Sequence, residues 1–348
     1  MRILINVPDL KRPGGVSSLF NILLLDKYYT NISIFVLHNK LPSVIRVPYK
    51  YIEFILRLIN TDIVHLNPSL DRKSFLRDSF FAWITLFFRK KLIIYWHGWD
   101  EIYEEKIRNS IYLSMIFKHT FNKAQASVVL GTLFEKKLRA LNYKNSLFVG
   151  TNAADNKYIE DRLPKKIEKH EVVRLLFLSR LETEKGIYIA LETLKLLNQQ
   201  LKRFKLVIAG SGSEEQNIKE IALVNEDVEW VGYVAEKQKH EILLTSHIML
   251  IPSYSEGLPL TLLEGMIYGL PIVSSYVGGI PDILKDDING YLIKSHSPQE
   301  YAAKIVQIIE TPMLYNLMTN NNQEKSKSFN PKFVREQLYS IYEYIYKS

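Results

Sequence analysis

The sequence contains no cysteine among its 348 residues, which excludes a disulfide framework and any thiolate-bound metal. It also lacks an apolar run near the roughly 18 residues that a membrane-spanning helix needs. The longest run, Phe80 to Phe88, ends at Arg89-Lys90-Lys91. Met1-Arg2 leads straight into a strand-like ILINV, without a small-residue cleavage site, so no signal peptide is expected. We therefore expect a cytoplasmic protein.

Basic and acidic residues are unevenly distributed along the chain. Residues 1–165 hold 25 Lys and Arg against 14 Asp and Glu, whereas residues 166–348 hold 20 against 23. A basic first half favours an anionic partner, either a membrane surface or a nucleic acid, with a merely solvated basic face as the alternative. No nucleic-acid recognition motif is present, so no nucleic-acid partner is expected.

Two stretches of the first half combine aromatic and basic residues, Val44 to Ile59 and Lys73 to Lys91. This composition suits a helix lying at an anionic membrane interface. Both stretches also suit crossover helices of an α/β domain, and Phe80 to Phe88 is compatible with a buried helix. The sequence leaves these interpretations open.

Strand-like and helix-like segments alternate throughout both halves, which predicts two doubly wound α/β domains. We place the first domain at 1–160 and the second at 161–328, joined by the polar linker Lys157 to His170. A last helix at 329–348 has one apolar stripe, formed by Val334, Leu338, Ile341 and Ile345.

The most informative stretch is Ser246 to Leu284, which reads strand, loop, helix, strand and glycine pair. Pro259 suits the start of the helix, and Gly269 its end. The helix start offers free N–H groups and a positive dipole end, which suit a phosphate. Glu256 lies in the loop and Glu264 in the helix, although both are also compatible with ordinary surface carboxylates.

Three other predicted strand ends carry polar or glycine-rich loops. Gly14-Gly15 follows the first strand, without forming the G-x-G-x-x-G dinucleotide fingerprint. His97-Gly98 ends a later strand, where open α/β sheets bind ligands. In the second half, Arg180 and Lys185 flank one strand-to-helix loop, where a fork donor and a point charge suit a diphosphate. Tight turns and surface pairs are the alternatives.

The E-x7-E spacing from Glu256 to Glu264, followed by GGIPDIL, resembles the donor-site signature of the family-4 retaining glycosyltransferases, also called glycosyl transferases group 1. The resemblance is strong from Arg180 to Leu284 and thinner in the first half. It implies the GT-B fold, with two Rossmann-like domains facing a central cleft. The first domain would bind acceptor, the second would bind a nucleotide-sugar donor, and the last helix would cross back to the first domain.

The resemblance also implies roles for individual residues. His97 and Glu256 would act on the transferred sugar as catalytic residues, and Glu264, Gly210 and Gly232 would bind the ribose and base. The donor diphosphate would be held by Arg180, Lys185, Gly257, Leu258, Pro259, Leu260 and Gly15. One departure from the family pattern is Ser179, which stands where a glycine usually precedes the arginine.

The implied reaction moves a sugar from a nucleotide diphosphate sugar to an acceptor hydroxyl with retention. A UDP-sugar donor and a glycan or lipid-linked acceptor of bacterial cell-surface polysaccharide synthesis are implied, at the inner face of the plasma membrane. No D-x-D pair occurs, so we expect neither metal nor other cofactor. A nucleotide-sugar epimerase, a phosphorylase and a non-catalytic basic binding protein remain alternatives, although no lysine for a phosphorylase's pyridoxal phosphate is identifiable.

Overall fold

The computed structural model describes residues 1–11, 14–37, 43–154, 171–201 and 203–348, and these divide into two compact units. The first unit comprises Met1–Ala153 together with Pro331–Ser348, and the second comprises Ala154–Asn330. The predicted linker Lys157 to His170 lies outside the described residues.

The first unit is built on a parallel sheet of six strands with helices between them. Its strands are β1 (Ile3–Val7), β2 (Ile32–Val36), β3 (Ile63–Leu66), β4 (Ser69–Leu70), β5 (Lys91–Trp96), β6 (Gly98–Trp99), β7 (Ala126–Val129) and β8 (Ser146–Val149). Its helices up to residue 153 are α1 (Gly15–Leu23), α2 (Leu25–Tyr28), α3 (Ser43–Leu58), α4 (Arg72–Phe87), α5 (Glu101–Asn109), α6 (Ile111–His119) and α7 (Thr132–Ala140). The sheet order is β2-β1-β3-β5-β7-β8, and β4 pairs with β6 separately.

The second unit repeats this architecture. Its strands are β9 (Val173–Leu178), β10 (Phe204–Ala209), β11 (Val228–Gly232), β12 (Ile248–Ile251), β13 (Ile272–Ser275) and β14 (Gly290–Ile293). Its helices are α8 (Ile187–Gln200), α9 (Glu215–Val224), α10 (Glu236–Thr245), α11 (Leu260–Ile267), α12 (Ile280–Ile283), α13 (Pro298–Glu310) and α14 (Pro312–Ser326). The all-parallel order β11-β10-β9-β12-β13-β14 reverses direction between β9 and β12. Two doubly wound α/β sheets confirm the predicted fold class.

Buried strands explain why both sheets form. Strands β1, β3, β7 and β12 are buried along their whole length and consist largely of Ile, Val and Leu. Such unbroken apolar runs are typical of parallel strands whose two faces are both covered by helices. Because helices cover both faces, neither face of the sheet is open to a ligand. Open α/β sheets bind ligands instead on the loops at the carboxyl edge.

Helix α4 divides the Phe80–Phe88 stretch between two environments. Phe81, Ala82 and Ile84 are buried against the sheet, whereas Phe80, Trp83 and Phe87 are 43%, 51% and 69% exposed. The fully buried interpretation of this stretch is therefore wrong for its outer face. None of the helices within the described ranges has both the length and the apolar character needed to cross a membrane.

The last helix, α15 (Pro331–Lys347), packs within the first unit. All four residues of its predicted apolar stripe are buried. The Tyr342 hydroxyl, also buried, lies 2.6 Å from Nδ1 of His65 on β3. At the end of the helix, Nζ of Lys91 donates to the carbonyl oxygens of Ile345 and Tyr346 at 2.8 and 2.9 Å. Polar contacts thus supplement the apolar packing of this helix.

We predict that Tyr342→Phe lowers the free energy of unfolding by about 1–3 kcal/mol, because it leaves Nδ1 of the fully buried His65 unpaired. Urea unfolding followed by tryptophan fluorescence measures this loss. Tyr344→Phe is the matched control, since that ring is 53% exposed on the same helix, and its change should stay within about 0.5 kcal/mol. Equal stability of the two variants would contradict the anchoring role of Tyr342.

Candidate active site

The predicted donor-site residues of the second unit gather at the carboxyl edge of its sheet. Loops leave β9 and β12 side by side at the point where the strand order reverses, which is where open α/β sheets bind ligands. The loop after β9 carries Arg180 and Lys185, and the loop after β12 carries Glu256. Residues far apart in sequence therefore meet at one edge.

An ion pair joins these two loops. Nζ of Lys185 lies 2.7 Å from Oε1 of Glu256, and it also donates to the Ser255 carbonyl oxygen at 3.3 Å. The two charged side chains are 12% and 13% exposed. At this burial a lone charge would be costly, so each member needs the other in the free protein. The pair places a lysine cation and a carboxylate together beside the start of α11.

Glycine at position 186 makes this approach of the two loops feasible. Gly186 follows the 3-10 turn Thr183–Lys185 with a left-handed φ of 75°, and its backbone passes close to the loop after β12. A Cβ added here would lie 2.0 Å from the Pro252 carbonyl oxygen. Any larger residue would therefore push the lysine loop away from the glutamate loop.

The glutamate loop is fixed on its other side as well. The Ser253 hydroxyl donates to Oε1 of Glu256 at 2.8 Å. The Gly257 carbonyl oxygen accepts from the Gly279 N–H at 2.7 Å, and a Cβ on Gly278 would lie 2.1 Å from the Glu256 carbonyl oxygen. The predicted glycine pair of GGIPDIL thus packs directly on the loop that contains the first glutamate.

Helix α11 begins where the sequence predicts, with Pro259 as its N-cap residue and Leu260 as its first residue. Gly257, Leu258 and Pro259 form the approach to this helix, and the Leu258 side chain is buried. Among the residues that the structure describes, no side chain caps the helix start, so Thr261 and Glu264 form no capping box. The first N–H groups of α11 are therefore available to an anionic ligand.

Glu264, the second glutamate, is 8% exposed on α11. Its Oε1 accepts a short hydrogen bond from Nζ of Lys239 on α10. This ion pair neutralises the buried carboxylate while holding it by one oxygen. Lys239 did not stand out in the sequence, because a lysine in a polar helix has no distinguishing pattern.

The remaining predicted residues of this unit, Arg180, Gly210 and Gly232, lie at the same edge of the sheet. Arg180 is exposed and forms an ion pair with Glu182 at 2.6 Å, whereas Lys185 pairs with Glu256. Gly210 has a φ of 146°, and a Cβ there would lie 1.8 Å from the Ser179 carbonyl oxygen. The Gly210 N–H donates to the Gly232 carbonyl oxygen at 2.7 Å, so these two predicted nucleotide-binding glycines are adjacent.

His97, the predicted catalytic residue of the first unit, directly follows β5 and is half-buried. Its Nε2 lies 2.7 Å from Oδ1 of Asn67, and its ring stacks on Tyr95 with centroids 4.4 Å apart. Burial lowers the pKa of His97 from its ordinary 6.5 to about 3. The imidazole is therefore neutral at physiological pH.

The hydrogen bonds of Asn67 fix the tautomer of this imidazole. Its Nδ2 donates to the Asn6 carbonyl oxygen at 2.7 Å, and a carbonyl oxygen only accepts. The Asn67 Oδ1 atom must then face His97, so Nε2 of the imidazole carries the proton and Nδ1 keeps its lone pair. Within the described chain no hydrogen bond to that Nδ1 is present, which leaves a neutral acceptor directed away from Asn67.

Gly14 and Gly15 stand at the start of α1, and both are exposed. Neither has a left-handed φ. Within the described residues, a Cβ on Gly15 would meet no atom within 4 Å, and one on Gly14 would meet only the Ser17 hydroxyl at 3.8 Å. Backbone geometry therefore does not require glycine here, which weakens the tight-turn alternative.

The described ranges contain no cluster of three or more His, Asp or Glu side chains that is arranged to hold a metal ion. The two site carboxylates, Glu256 and Glu264, are each engaged by a lysine instead. The expectation that no metal is required stays a prediction.

Comparison with known proteins relates the second unit to a described family. Residues 159–325 match the family described as glycosyl transferases group 1. The second unit, hereafter the group 1 domain, is similar to that family over the matched residues. This confirms the predicted resemblance to glycosyl transferases group 1, and the narrower assignment to the retaining family 4 stays a prediction.

Curated relatives match different shares of the chain. The chain is 32% identical over 149 residues to the amylovoran biosynthesis glycosyltransferase AmsK of Erwinia amylovora, which covers 40% of this chain and 36% of that protein. A protein of 41.2 kDa from the cps region of Klebsiella pneumoniae is 24% identical over 298 residues, covering 82% and 79%. The chain spans 36 to 52% of the length of AmsK and two further relatives.

Solved structures match nearly the whole chain. Anabaena Alr3699/HepE in complex with UDP has a TM-score of 0.75 at 17% identity, covering 99% of this chain and 100% of that one. Sucrose-phosphate synthase from Thermosynechococcus elongatus has a TM-score of 0.76 at 16% identity, with 99% of both chains covered. At such identities the likeness establishes the fold, which is GT-B.

Three residues of the group 1 site or its counterpart in the first unit escaped the sequence analysis: Ser253, Lys239 and Asn67. Ser253 lies three residues before Glu256 in the same loop, so loop composition was its only available signal. Asn67 directly follows β3, and a polar residue at the end of a buried strand is a usable signal that the sequence analysis left unused.

We predict that Gly186→Ala in the group 1 domain lowers the free energy of unfolding by more than about 1 kcal/mol, since φ is left-handed and Cβ would strike Pro252. Gly15→Ala is the control, because it adds a Cβ to open space at a helical residue and should be neutral or slightly stabilising. Differential scanning calorimetry measures the change in stability of each variant relative to the wild type. A neutral Gly186→Ala would show that the two loops do not constrain one another.

Proposed function

We propose that this chain is a retaining glycosyltransferase that moves a sugar from a UDP-sugar to a hydroxyl of a glycan or lipid-linked acceptor, in bacterial cell-surface polysaccharide synthesis. The observation that carries the proposal is the largely buried ion pair of Lys185 and Glu256 beside the uncapped start of α11. The group 1 match, the name of AmsK as an amylovoran biosynthesis glycosyltransferase and the UDP bound to HepE support the same class.

The leaving group of such a transfer is a nucleoside diphosphate, which gains negative charge as the glycosidic bond breaks. Positive groups aimed at that charge stabilise the transition state. Lys185 and the N–H groups at the start of α11 lie within one loop cluster, and Arg180 stands exposed on the loop after β9. We assign the diphosphate to these groups, together with Gly257 and Pro259.

Lys185 has a double task in this proposal. In the free protein it neutralises Glu256, because neither charge is stable alone at this burial. An arriving diphosphate supplies the lysine with a new anionic partner. The Glu256 carboxylate then accepts hydrogen bonds from hydroxyls of the transferred sugar, while Ser253 keeps it in position.

Glu264 is assigned to the ribose hydroxyls. Lys239 engages its Oε1, which leaves Oε2 as the acceptor for a vicinal hydroxyl pair. The adjacent glycines 210 and 232 are assigned to the base, which their side-chain-free backbone allows to approach closely.

For the first unit we assign sugar recognition to His97. Its neutral imidazole keeps a lone pair on Nδ1, so it accepts a hydrogen bond from a sugar hydroxyl. Acceptance by Nδ1 gives a hydrogen-bond direction to the role on the transferred sugar that the resemblance implies for His97. The open space at Gly14 and Gly15 lets a ligand approach the backbone there.

Retention and independence from metal belong to this proposal as well. A product with the anomeric configuration of the donor, formed at an unchanged rate in the presence of a chelator, is the expected result. Nuclear magnetic resonance of the product resolves the two anomers. An inverted product would refute the retaining assignment, and a loss of turnover with chelator would refute independence from metal.

A panel of nucleotide diphosphates and nucleotide sugars tests the proposal as a whole. We predict that UDP at 100 times its Kd raises the free energy of unfolding by about 2.7 kcal/mol, which a thermal-shift assay detects. Stabilisation by no nucleotide would favour the non-catalytic alternative. Conversion of a nucleotide sugar into its epimer without acceptor would favour the epimerase.

We predict that Lys185→Ala lowers kcat/KM for transfer by about one to two orders of magnitude, since a hydrogen bond to a charged group contributes about 1.5–3 kcal/mol. The matched control is Lys195→Ala on α8, where the lysine is 63% exposed and pairs with Glu192. Circular dichroism checks that both variants are folded. Near-wild-type turnover of Lys185→Ala would remove the lysine from the diphosphate site.

A further inference from the structure

The outer surface of helices α3 and α4 carries an exposed apolar strip, which we call the aromatic face. Its members are Leu76, Phe80, Trp83 and Phe87 of α4, Ile52 and Leu56 of α3, and Ile59, which directly follows α3. Each of these side chains is 43% to 69% exposed. Ring centroids of Phe80 and Trp83 are 6.0 Å apart, and those of Trp83 and Phe87 are 5.7 Å apart. Tyr51 of α3 meets Phe80 at 4.5 Å, so the two helices form one continuous surface.

Folding does not require this face. Helix α4 already buries Phe75, Phe81 and Ile84 against the sheet on its opposite side. Soluble proteins rarely expose contiguous apolar surface of this kind unless it binds something. The aromatic face is therefore a surface for a partner.

Charge around the face indicates which partner. Arg72 and Lys73 stand at the start of α4, Arg89 and Lys90 follow its end, and within the described chain none of the four forms an ion pair. The single acidic residue of α4, Asp78, is fully buried and paired with Arg77. The helix therefore presents aromatic rings between two basic ends with no exposed carboxylate of its own.

We propose that the aromatic face docks on the surface of an anionic lipid bilayer, with α4 lying in the plane of the interface. Aromatic rings enter the boundary between headgroups and acyl chains, while the basic ends contact anionic headgroups. A helix of 16 residues extends about 24 Å, long enough for both ends to contact lipid together.

The position of α4 in the fold gives this docking a consequence for the proposed function. The helix begins two residues after β4, and β4 pairs with β6, which directly follows His97. Docking through α4 therefore holds the carboxyl edge of the first sheet close to the bilayer, where a lipid-linked acceptor resides. The docking itself does not depend on the proposed function.

Sedimentation of the full chain with vesicles tests the proposal. We expect binding to vesicles containing one-third phosphatidylglycerol in phosphatidylcholine, weak binding to phosphatidylcholine alone, and a blue shift of Trp83 fluorescence on binding. Arg89→Gln with Lys90→Gln should weaken vesicle partition about thirtyfold, which is about 1 kcal/mol for each charge removed.

Removing the rings is the second arm. Trp83→Ser with Phe87→Ser should weaken partition about tenfold or more, whereas the control Leu223→Ser with Val224→Ser, two exposed residues of α9, should leave it unchanged. All substituted side chains are exposed, so the fold should persist, and calorimetry verifies this. UDP stabilisation should be equal in all variants, so loss of docking is distinguishable from failure of the proposed donor site.

Three results would overturn the proposal. Equal vesicle binding by the ring variant and the wild type would show that charge alone attracts the protein. Equal binding to neutral and anionic vesicles would remove the role of the basic ends. A dimer that forms without vesicles and dissociates in the Trp83→Ser variant would assign the face to a second copy of this chain.

Discussion

The structure of the candidate site depends on one constraint, the burial of opposite charges where the second sheet reverses its strand order. Lys185 and Glu256 come from the loops after β9 and β12, which become neighbours because those two strands are adjacent in the sheet. Both charges are largely withdrawn from water, so each is stable only beside its partner. Gly186 with its left-handed φ, the serine at 253 and the glycine pair at 278 and 279 all hold the two loops together.

A second ion pair of the same kind involves the other glutamate of the E-x7-E segment. Glu264 lies inside α11 with Lys239 reaching it from α10, so both glutamates of the E-x7-E segment are neutralised by lysines before any ligand arrives. Carboxylates held in fixed positions are ready acceptors for hydroxyls. Neutralisation also reduces the repulsion that two bare carboxylates would exert on a diphosphate.

The first unit achieves a similar preorganisation without charge. Asn6, Asn67 and His97 form a chain of hydrogen bonds across the ends of β1, β3 and β5, and burial keeps the imidazole neutral. A neutral acceptor of fixed tautomer suits a hydroxyl. The outward face of α4 in the same unit differs from this hydrogen-bonded chain. Its rings lie outside the core, and its basic ends have no acidic neighbours on the helix.

The sequence by itself determined the fold class and the position of the E-x7-E segment, because strand and helix periodicity and glycine or proline punctuation are local properties. Helix α11 begins within one residue of its predicted start for this reason. Only the tertiary structure decided that Lys185 pairs with Glu256, that Arg180 pairs with Glu182, and that Lys239 engages Glu264. Partnerships of this kind depend on which strands lie side by side. The tertiary structure also decided which residues of the Phe80–Phe88 stretch are buried and which are exposed. The apolar sequence of this stretch is compatible with either environment, and the position of the sheet against α4 decides between them.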